Sequence, residues 1–90
     1  MPDTNDFAIH YHTLPEHMRD AAREYVEGHH MPGDFLQALF SNNFIGVFKH
    51  GDETNLAAIQ TWATWLYNEA PGGCWGSRLM MEAWVKAGRG

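Results

Sequence analysis

The sequence contains a single cysteine, Cys74, and no long hydrophobic run. One thiol excludes an internal disulfide and is typical of proteins from a reducing compartment. No apolar stretch approaches the roughly 18 residues that a membrane-spanning helix needs, and the N-terminus lacks the basic and apolar regions of a signal peptide. We therefore expect a soluble, cytoplasmic protein with no membrane partner.

Basic residues are also scarce. The chain has six Lys and Arg residues against eleven Asp and Glu residues, which gives a formal net charge of −5. The basic residues are scattered along the chain, which argues against binding to nucleic-acid backbones. A small anionic ligand is compatible with this composition, because one or two cations and a few backbone amides suffice to hold it.

Large rings are abundant for a chain of 90 residues. Hydrophobic residues make up 44% of the sequence and aromatic residues 13%, with four Trp, five Phe and three Tyr. A domain of this size buries only about 60–65% of the surface of its unfolded chain, so its core cannot comfortably enclose every ring. Exposed apolar patches on a small protein often mark partner surfaces, and we therefore expect a homo-oligomer.

The spacing of the apolar residues predicts a mainly α protein. We expect one domain over residues 1–90, a compact bundle of four to five short helices with an extended N-terminal segment. The alternation of Phe7, Ile9 and Tyr11 indicates that segment, and residues 1–6 are expected to be frayed. The predicted helices span residues 14–27, 34–42, 44–50, 53–69 and 77–87. A strand is the alternative for the third of these, which is rich in Ile, Val and Phe.

Capping residues and apolar stripes refine the predicted helices. Thr13 and Glu16 have the form of a capping box, with Pro15 tolerated in the first turn. Asp34 and Ser77 are placed to cap the helices that follow them. In the last helix, the side chains expected to face inward are Leu79, Met80, Ala83 and Trp84.

The most informative stretch for function is Leu66–Arg78, with the sequence LYNEAPGGCWGSR. Its glycines let a backbone approach a ligand closely, and a helix that begins at Ser77 offers unpaired amides to an anion. Arg78 adds donors for a phosphate or carboxylate, and an aromatic ring could stack on a base or sugar. The predicted ligand-binding residues are Tyr11, Tyr67, Trp75, Gly76, Ser77 and Arg78. The alternative is a structural turn in which Trp75 fills the core.

No catalytic centre is recognisable in the sequence. A nucleophilic Cys74 would need a histidine base, and no histidine follows His50. His10, His12 and His17 could converge on a zinc ion, but histidines near a terminus are more commonly solvated. No Ser-His-Asp arrangement is suggested by the spacing. We therefore expect no enzymatic activity, no cofactor and no bound metal.

Three segments resemble a family of short proteins encoded by bacteriophages and prophages. They are Leu14–His17 (LPEH), Pro32–Phe40 (PGDFLQALF), and the LYNEAP and CWGS motifs that end at Ser77, followed by Trp84. The resemblance covers about residues 13–85, and it implies a viral origin, an accessory role and a place in the host cytoplasm. Two features depart from the family pattern: Phe44 stands where relatives often carry an acidic residue, and Gly46 lies within the predicted third helix.

Two hypotheses about function follow, both without catalysis. In the first, the protein counters host defence by sequestering a small anionic ligand, such as a nucleotide immune signal, in a pocket at an oligomer interface. In the second, it is a small inhibitor that binds a host defence protein directly, as anti-CRISPR proteins do, through its acidic and aromatic surface. A virion or assembly component is a third alternative.

Overall fold

The computed structural model describes residues 9–88, and six α-helices lie within them. The helices are α1 (Arg19–Val26), α2 (Asp34–Phe40), α3 (Phe44–His50), α4 (Glu53–Ala57), α5 (Ile59–Asn68) and α6 (Arg78–Ala87). Short 3₁₀ turns at Glu16–Met18 and Gly72–Cys74 precede α1 and α6. The described residues include no strand, and the predicted mainly α bundle is confirmed. Our expectation for residues 1–6 lies outside the described part of the chain.

An aromatic cluster forms the core that these helices share. Tyr25 of α1 stacks on Phe40 of α2 with ring centroids 4.1 Å apart. Trp65 of α5 meets Phe40 edge-on at 6.2 Å and Trp62 at 6.1 Å. The Tyr25 hydroxyl donates to the backbone carbonyl of Cys74, which ties the loop before α6 to the same cluster. Because large rings bury much apolar area each, this cluster joins α1, α2 and α5 in a small domain.

The first helix begins later than predicted. A three-residue 3₁₀ turn follows Pro15, and no side-chain cap bond is made there. The capping box predicted for Thr13 and Glu16 is therefore wrong. Pro15 is in extended backbone, with φ −52° and ψ 134°, which delays the α-helix. The Arg19 side chain fastens the turn instead, because its Nε donates to the carbonyl of Leu14 at 2.9 Å.

The cap predicted for Asp34 is displaced by one residue. Gly33 is the N-cap of α2, and Asp34 is the first residue of the helix. The Asp34 side chain makes no cap hydrogen bond. The carboxylate still interacts favourably with the helix dipole from the first turn. It is exposed there and lines a surface pocket that is described below.

The longest predicted helix, residues 53–69, is interrupted. Ala58 leaves the helical conformation, with φ −100° and ψ 17°, and separates α4 from α5. Asn55 is buried, and its side-chain oxygen accepts a hydrogen bond from the Trp62 indole at 3.3 Å. Residues seven apart are separated by about 10.5 Å along a straight helix, so the bend brings these two side chains together. No helix in the described part of the chain is long and apolar enough to cross a membrane.

Helix α3 packs closely against α2 through a glycine. Asn43 caps α3, because its side-chain oxygen accepts a hydrogen bond from the Gly46 N–H at 3.0 Å. A Cβ on Gly46 would lie only 3.0 Å from the Cβ of Ala38. The cap and this close approach hold the segment in a helix, and the strand alternative is wrong. The exposed side of α3 carries Phe44, Ile45 and Phe48.

Helix α6 is rotated relative to the prediction. The predicted inward residues that are exposed instead are Leu79, Met80 and Ala83. The residues that face the core are Met81, Val85 and the half-buried Trp84. The Trp84 indole N–H donates to the backbone carbonyls of Tyr25 and Val26, both at 3.1 Å. Since apolar residues occupy more than one face of α6, these bonds decide which face is buried.

Candidate functional site

The loop between α5 and α6 is fastened to the core. Gly76 has a φ of +127°, a conformation that favours glycine. Its N–H donates to the carbonyl of Phe40 at 2.9 Å, so that amide is not available to a ligand. Trp75 packs half-buried against the core, beside the fully buried Cys74. These contacts agree with the structural turn that the sequence offered as the alternative.

Ser77 caps α6, as predicted. Its Oγ accepts a hydrogen bond from the Met80 N–H at 3.1 Å. A cap of this kind contributes about 1 kcal/mol to stability. Because the bond occupies an amide of the first turn, the start of α6 offers an anion fewer donors than the sequence suggests.

Tyr11 lies in the core and contacts α1 and α5. Its hydroxyl donates to Oε2 of Glu27 at 2.8 Å, and its ring centroid lies 5.8 Å from that of Trp65. The Arg23 guanidinium lies 4.9 Å from the centre of the Tyr11 ring, a cation–π contact. Burial, followed by the hydrogen bond to Glu27, raises the pKa of Tyr11 far above its ordinary value. The side chain is thus committed to packing and does not extend over the loop.

Tyr67 lies on the outer side of α5 and is 83% exposed. The residues one turn before it on the helix surface are Ala63 and Thr64. These two residues line different grooves, one on each flank of α5. Tyr67 therefore stands on the ridge between the grooves, apart from the loop residues with which the sequence grouped it.

Of the six predicted residues, Arg78 lines a pocket at the start of α6. The pocket has a volume of about 220 Å³ and lies between α2, α3 and the start of α6. We call it the Arg78 pocket; its lining residues are Asp34, Gln37, Ala38, Ser41, Asn43, His50 and Arg78. The described chain does not bring the six predicted residues together in one pocket.

The described lining of the Arg78 pocket holds two basic side chains and the Asp34 carboxylate, and a second carboxylate, that of Glu82, is paired with Arg78. Arg78 Nε donates to Oε2 of Glu82 at 3.0 Å, which leaves the terminal Nη groups to donate to a ligand. His50, at the end of α3, adds an imidazole, and Asn43 adds a side-chain amide. Asp34 supplies an acceptor. The pocket can therefore hold an anionic group while also accepting a hydrogen bond from the same ligand.

Sequence reasoning missed His50 and Asn43. His50 has the pattern of a loop histidine, and Asn43 that of a residue that ends a helix. Both residues lie at the ends of α3, where Asn43 is the N-cap and His50 is the last helical residue. That position is the signal by which the sequence could have indicated them. Their proximity to Arg78 depends on the packing of α2, α3 and α6, which spacing along the chain does not reveal.

Two of the three histidines considered as zinc ligands pair with carboxylates. His10 Nδ1 lies 3.2 Å from Oε1 of Glu69, and His17 Nε2 lies 2.9 Å from Oδ2 of Asp52. The backbone hydrogen bond at the start of α4, followed by the bond to His17, lowers the pKa of Asp52. The rings of His10 and His12 meet edge-on with centroids 5.9 Å apart. Among the described residues, no three His, Cys, Asp or Glu side chains come together as a metal site.

Cys74 is a poor nucleophile in this fold. It is fully buried, and burial raises the pKa of its thiol to about 12. A thiol needs to be deprotonated to react, and very little thiolate exists at neutral pH with such a pKa.

A second candidate surface lies between α3 and α5. The groove there has a volume of about 230 Å³ and is lined by Leu39, Asn42, Asn43, Phe44, Val47, Phe48, Ile59, Ala63 and Leu66. Beside it, Phe44 is 70% exposed and Ile45 is 71% exposed. Neither α3 nor α5 contains an Asp or Glu residue. We call the groove together with Phe44, Ile45 and Phe48 the α3–α5 face.

The two candidate surfaces are neighbours, because Asn43 lines both the Arg78 pocket and the groove of the α3–α5 face. One surface is polar with basic side chains, and the other is apolar.

Comparison of the chain with protein-family models, curated proteins and solved structures finds no match.

Proposed function

We propose that this protein is a non-catalytic bacteriophage accessory protein that counters host defence in the host cytoplasm by sequestering a small anionic ligand, such as a nucleotide immune signal. The observation that carries the proposal is the Arg78 pocket, where Arg78 and His50 line one cavity. Basic side chains are rare in this chain, which has six Lys and Arg residues. The resemblance to phage proteins supports the biological setting, and the pocket supports the class of ligand.

The side chains of the Arg78 pocket suit an anion that also carries an N–H donor. A guanidinium forms paired hydrogen bonds with a phosphate or carboxylate, and the His50 imidazole is a further donor. Asp34 would repel a simple anion, but it accepts a hydrogen bond from an amino group of the same ligand. A nucleotide whose base carries an amino group has both features.

A second copy of the chain would complete this site. At about 220 Å³, the pocket is smaller than the roughly 300–1,000 Å³ of most small-molecule sites, so one chain would hold only part of a nucleotide. The adjoining α3–α5 face supplies an exposed apolar surface of the kind that forms interfaces. Chains with a net charge of −5 repel one another, and the repulsion is weakest at a face whose helices contain no carboxylate.

Calorimetry with cyclic dinucleotides and ADP-ribose derivatives tests the ligand. Arg78→Gln should weaken binding by about tenfold or more, because a hydrogen bond to a charged group contributes about 1.5–3 kcal/mol. Lys86→Gln is the matched control, since it removes the same charge from the exposed side of the same helix. We expect this control to bind as the wild type does.

Two results would contradict the ligand proposal. One is the absence of heat with every compound in the panel, with folded protein of confirmed mass. The other is an equal loss of affinity in Arg78→Gln and Lys86→Gln, which would indicate a nonspecific effect of charge.

Sedimentation velocity tests the oligomer. We expect the wild type to sediment as an assembly of more than one chain. Ile45→Asp should sediment as a monomer, because a carboxylate buried in the interface without a partner opposes association. Leu79→Asp places the same charge at another exposed apolar position, on α6, and should leave the oligomer intact. A monomeric wild type, or dissociation by Leu79→Asp alone, would overturn this assignment of the interface.

The α3–α5 face also favours a second candidate function, direct inhibition of a host defence protein. An apolar groove between two helices accepts large side chains from one face of a partner helix. In this case the wild-type protein is a monomer and captures one host protein from a lysate in stoichiometric amount. That host protein, once purified, should bind the wild type and Leu79→Asp but not Ile45→Asp. Equal binding to the wild type and both variants excludes this face.

A further inference from the structure

A second groove runs along α5 on the flank away from α3. It is lined by Thr13, Gln60, Thr61, Thr64, Trp65, Asn68 and Glu69 and has a volume of about 580 Å³. We call it the α5 polar groove. Its volume falls within the roughly 300–1,000 Å³ of small-molecule sites, whereas the groove beside α3 is smaller, at about 230 Å³.

Five neutral side chains of the lining make no side-chain hydrogen bond within residues 9–88: those of Thr13, Gln60, Thr61, Thr64 and Asn68. Five Ser, Asn and Gln side chains elsewhere in the fold do form hydrogen bonds to other groups: Gln37, Ser41, Asn43, Asn55 and Ser77. Within residues 9–88, the other Ser, Thr, Asn and Gln side chains without such a bond are Asn42 and Thr54, together with those of the groove. Neutral donors and acceptors that make no hydrogen bond to another described residue are thus concentrated in this groove.

The charges around the groove restrict its ligand. Among the described residues, its lining contains no Lys, Arg or His, and the carboxylate there belongs to Glu69. Oε1 of Glu69 accepts a hydrogen bond from the His10 backbone N–H at 2.9 Å, which holds that side chain in place. The described lining offers no cationic side chain to an anion, in contrast to the Arg78 pocket, and the His10 imidazole beside it is paired with Oε1 of Glu69 at 3.2 Å.

The described lining of the groove offers hydrogen-bonding groups and no exposed aromatic ring. Trp65 lines the groove, but it is only 2% exposed, and its indole N–H donates to the His10 carbonyl at 2.9 Å. Thr61, Thr64 and Asn68 recur at three- and four-residue spacing and so lie along one flank of the helix. Each hydroxyl both donates and accepts, and the amide of Asn68 does the same through separate atoms.

We propose that the α5 polar groove binds an uncharged ring with several hydroxyl groups, from either a free saccharide or the ribose of a nucleoside. The hydroxyl groups of such a ring also donate and accept, so they match the threonine and amide side chains in kind. The described part of the lining holds Glu69 and no Lys, Arg or His, and this charge disfavours a phosphorylated ligand. The groove is thus distinct from the proposed anion-binding site at Arg78.

NMR titration of ¹⁵N-labelled protein tests this site, with methyl glucoside, maltose, adenosine and uridine as probes. We expect saturable shifts confined to the α5 flank and to residues around Thr13. The double variant Thr61→Val/Thr64→Val removes two hydroxyls with little change of shape, and it should weaken binding by about fivefold or more. Thr54→Val makes the same replacement outside the groove and should bind as the wild type does.

The outcomes separate the two sources of the ring. Shifts with both kinds of probe support the shared hydroxyl chemistry, and shifts with only the saccharides or only the nucleosides assign the source. If the double variant loses its dispersed spectrum, Asn68→Ala on the exposed surface replaces it with the same expectation. The proposal is overturned if no probe produces a saturable shift, or if the folded variants bind as tightly as the wild type.

Discussion

The two flanks of α5 differ in almost every respect, although they belong to one helix. The flank beside α3 is apolar, with Ile59, Ala63 and Leu66 facing the phenylalanines of α3. The flank beside the N-terminal segment is polar, with Thr61, Thr64 and Asn68. Between them, only a narrow stripe that includes Trp62 and Trp65 is fully buried. A small domain can therefore use one helix both to build its core and to separate two surfaces of different chemistry.

The largest expected difference between the flanks is in stability. Leu66→Ala should lower the free energy of unfolding by about 2–5 kcal/mol, because Leu66 is buried and its loss leaves a cavity. Thr64→Ala, on the polar flank, should change it by no more than about 0.5 kcal/mol. Urea denaturation followed by circular dichroism measures both, and similar losses would break the comparison.

A smaller loss of stability is expected from a substitution in α3, the helix on the other side of the apolar groove. Gly46→Ala should lower the free energy of unfolding by about 1–3 kcal/mol, because the added methyl group overpacks the contact with Ala38 and Asn43. Lys49→Ala, on the exposed side of the same helix, should be nearly neutral. Urea denaturation again provides the values; a neutral Gly46→Ala would mean that α3 approaches α2 less closely than described.

The smallest expected effect concerns the start of α4, where Asp52 caps the helix and pairs with His17. The pKa of Asp52 is lowered from the ordinary 3.8 in the folded protein, so this carboxylate stabilises the fold above that pH. Its contribution is lost as the pH falls through the folded pKa. Between neutral pH and pH values below 3.8, the wild-type urea midpoint should therefore fall further than that of Asp52→Asn.

Glu53→Gln is the control for the pH dependence. It removes a neighbouring carboxylate and leaves intact the Asp52 cap, in which Oδ1 accepts a hydrogen bond from the Asn55 N–H at 2.7 Å. Its urea midpoints should follow the wild-type dependence on pH. If Asp52→Asn does so as well, the hydrogen bonds to Asp52 do not stabilise the folded state.

Local signals in the sequence were sufficient for the fold class and for the Ser77 cap. Both depend on neighbours along the chain and both are confirmed, whereas the capping box at Thr13 and the cap at Asp34 were wrong. The break at Ala58 escaped prediction because it accompanies a hydrogen bond between Asn55 and Trp62. The rotation of α6 escaped it because the bonds of Trp84 to the backbone of α1 select one of several apolar faces.

The candidate site was predictable only in part. Arg78 could be identified from its place after the glycine-rich loop, but its pocket partners come from α2 and α3. Tyr11 was grouped with it because the sequence does not show where an aromatic ring near the N-terminus packs. In the fold, the bond to Glu27 and the packing on Trp65 hold that ring in place.

Native mass spectrometry of the protein purified from infected cells tests the central claim most directly, because it reports the number of chains and any retained small molecule together. The account predicts an assembly of more than one chain that carries a small anionic molecule in the wild type and in Lys86→Gln. Arg78→Gln should form the same assembly without that molecule. A single wild-type chain with no retained molecule would contradict the account.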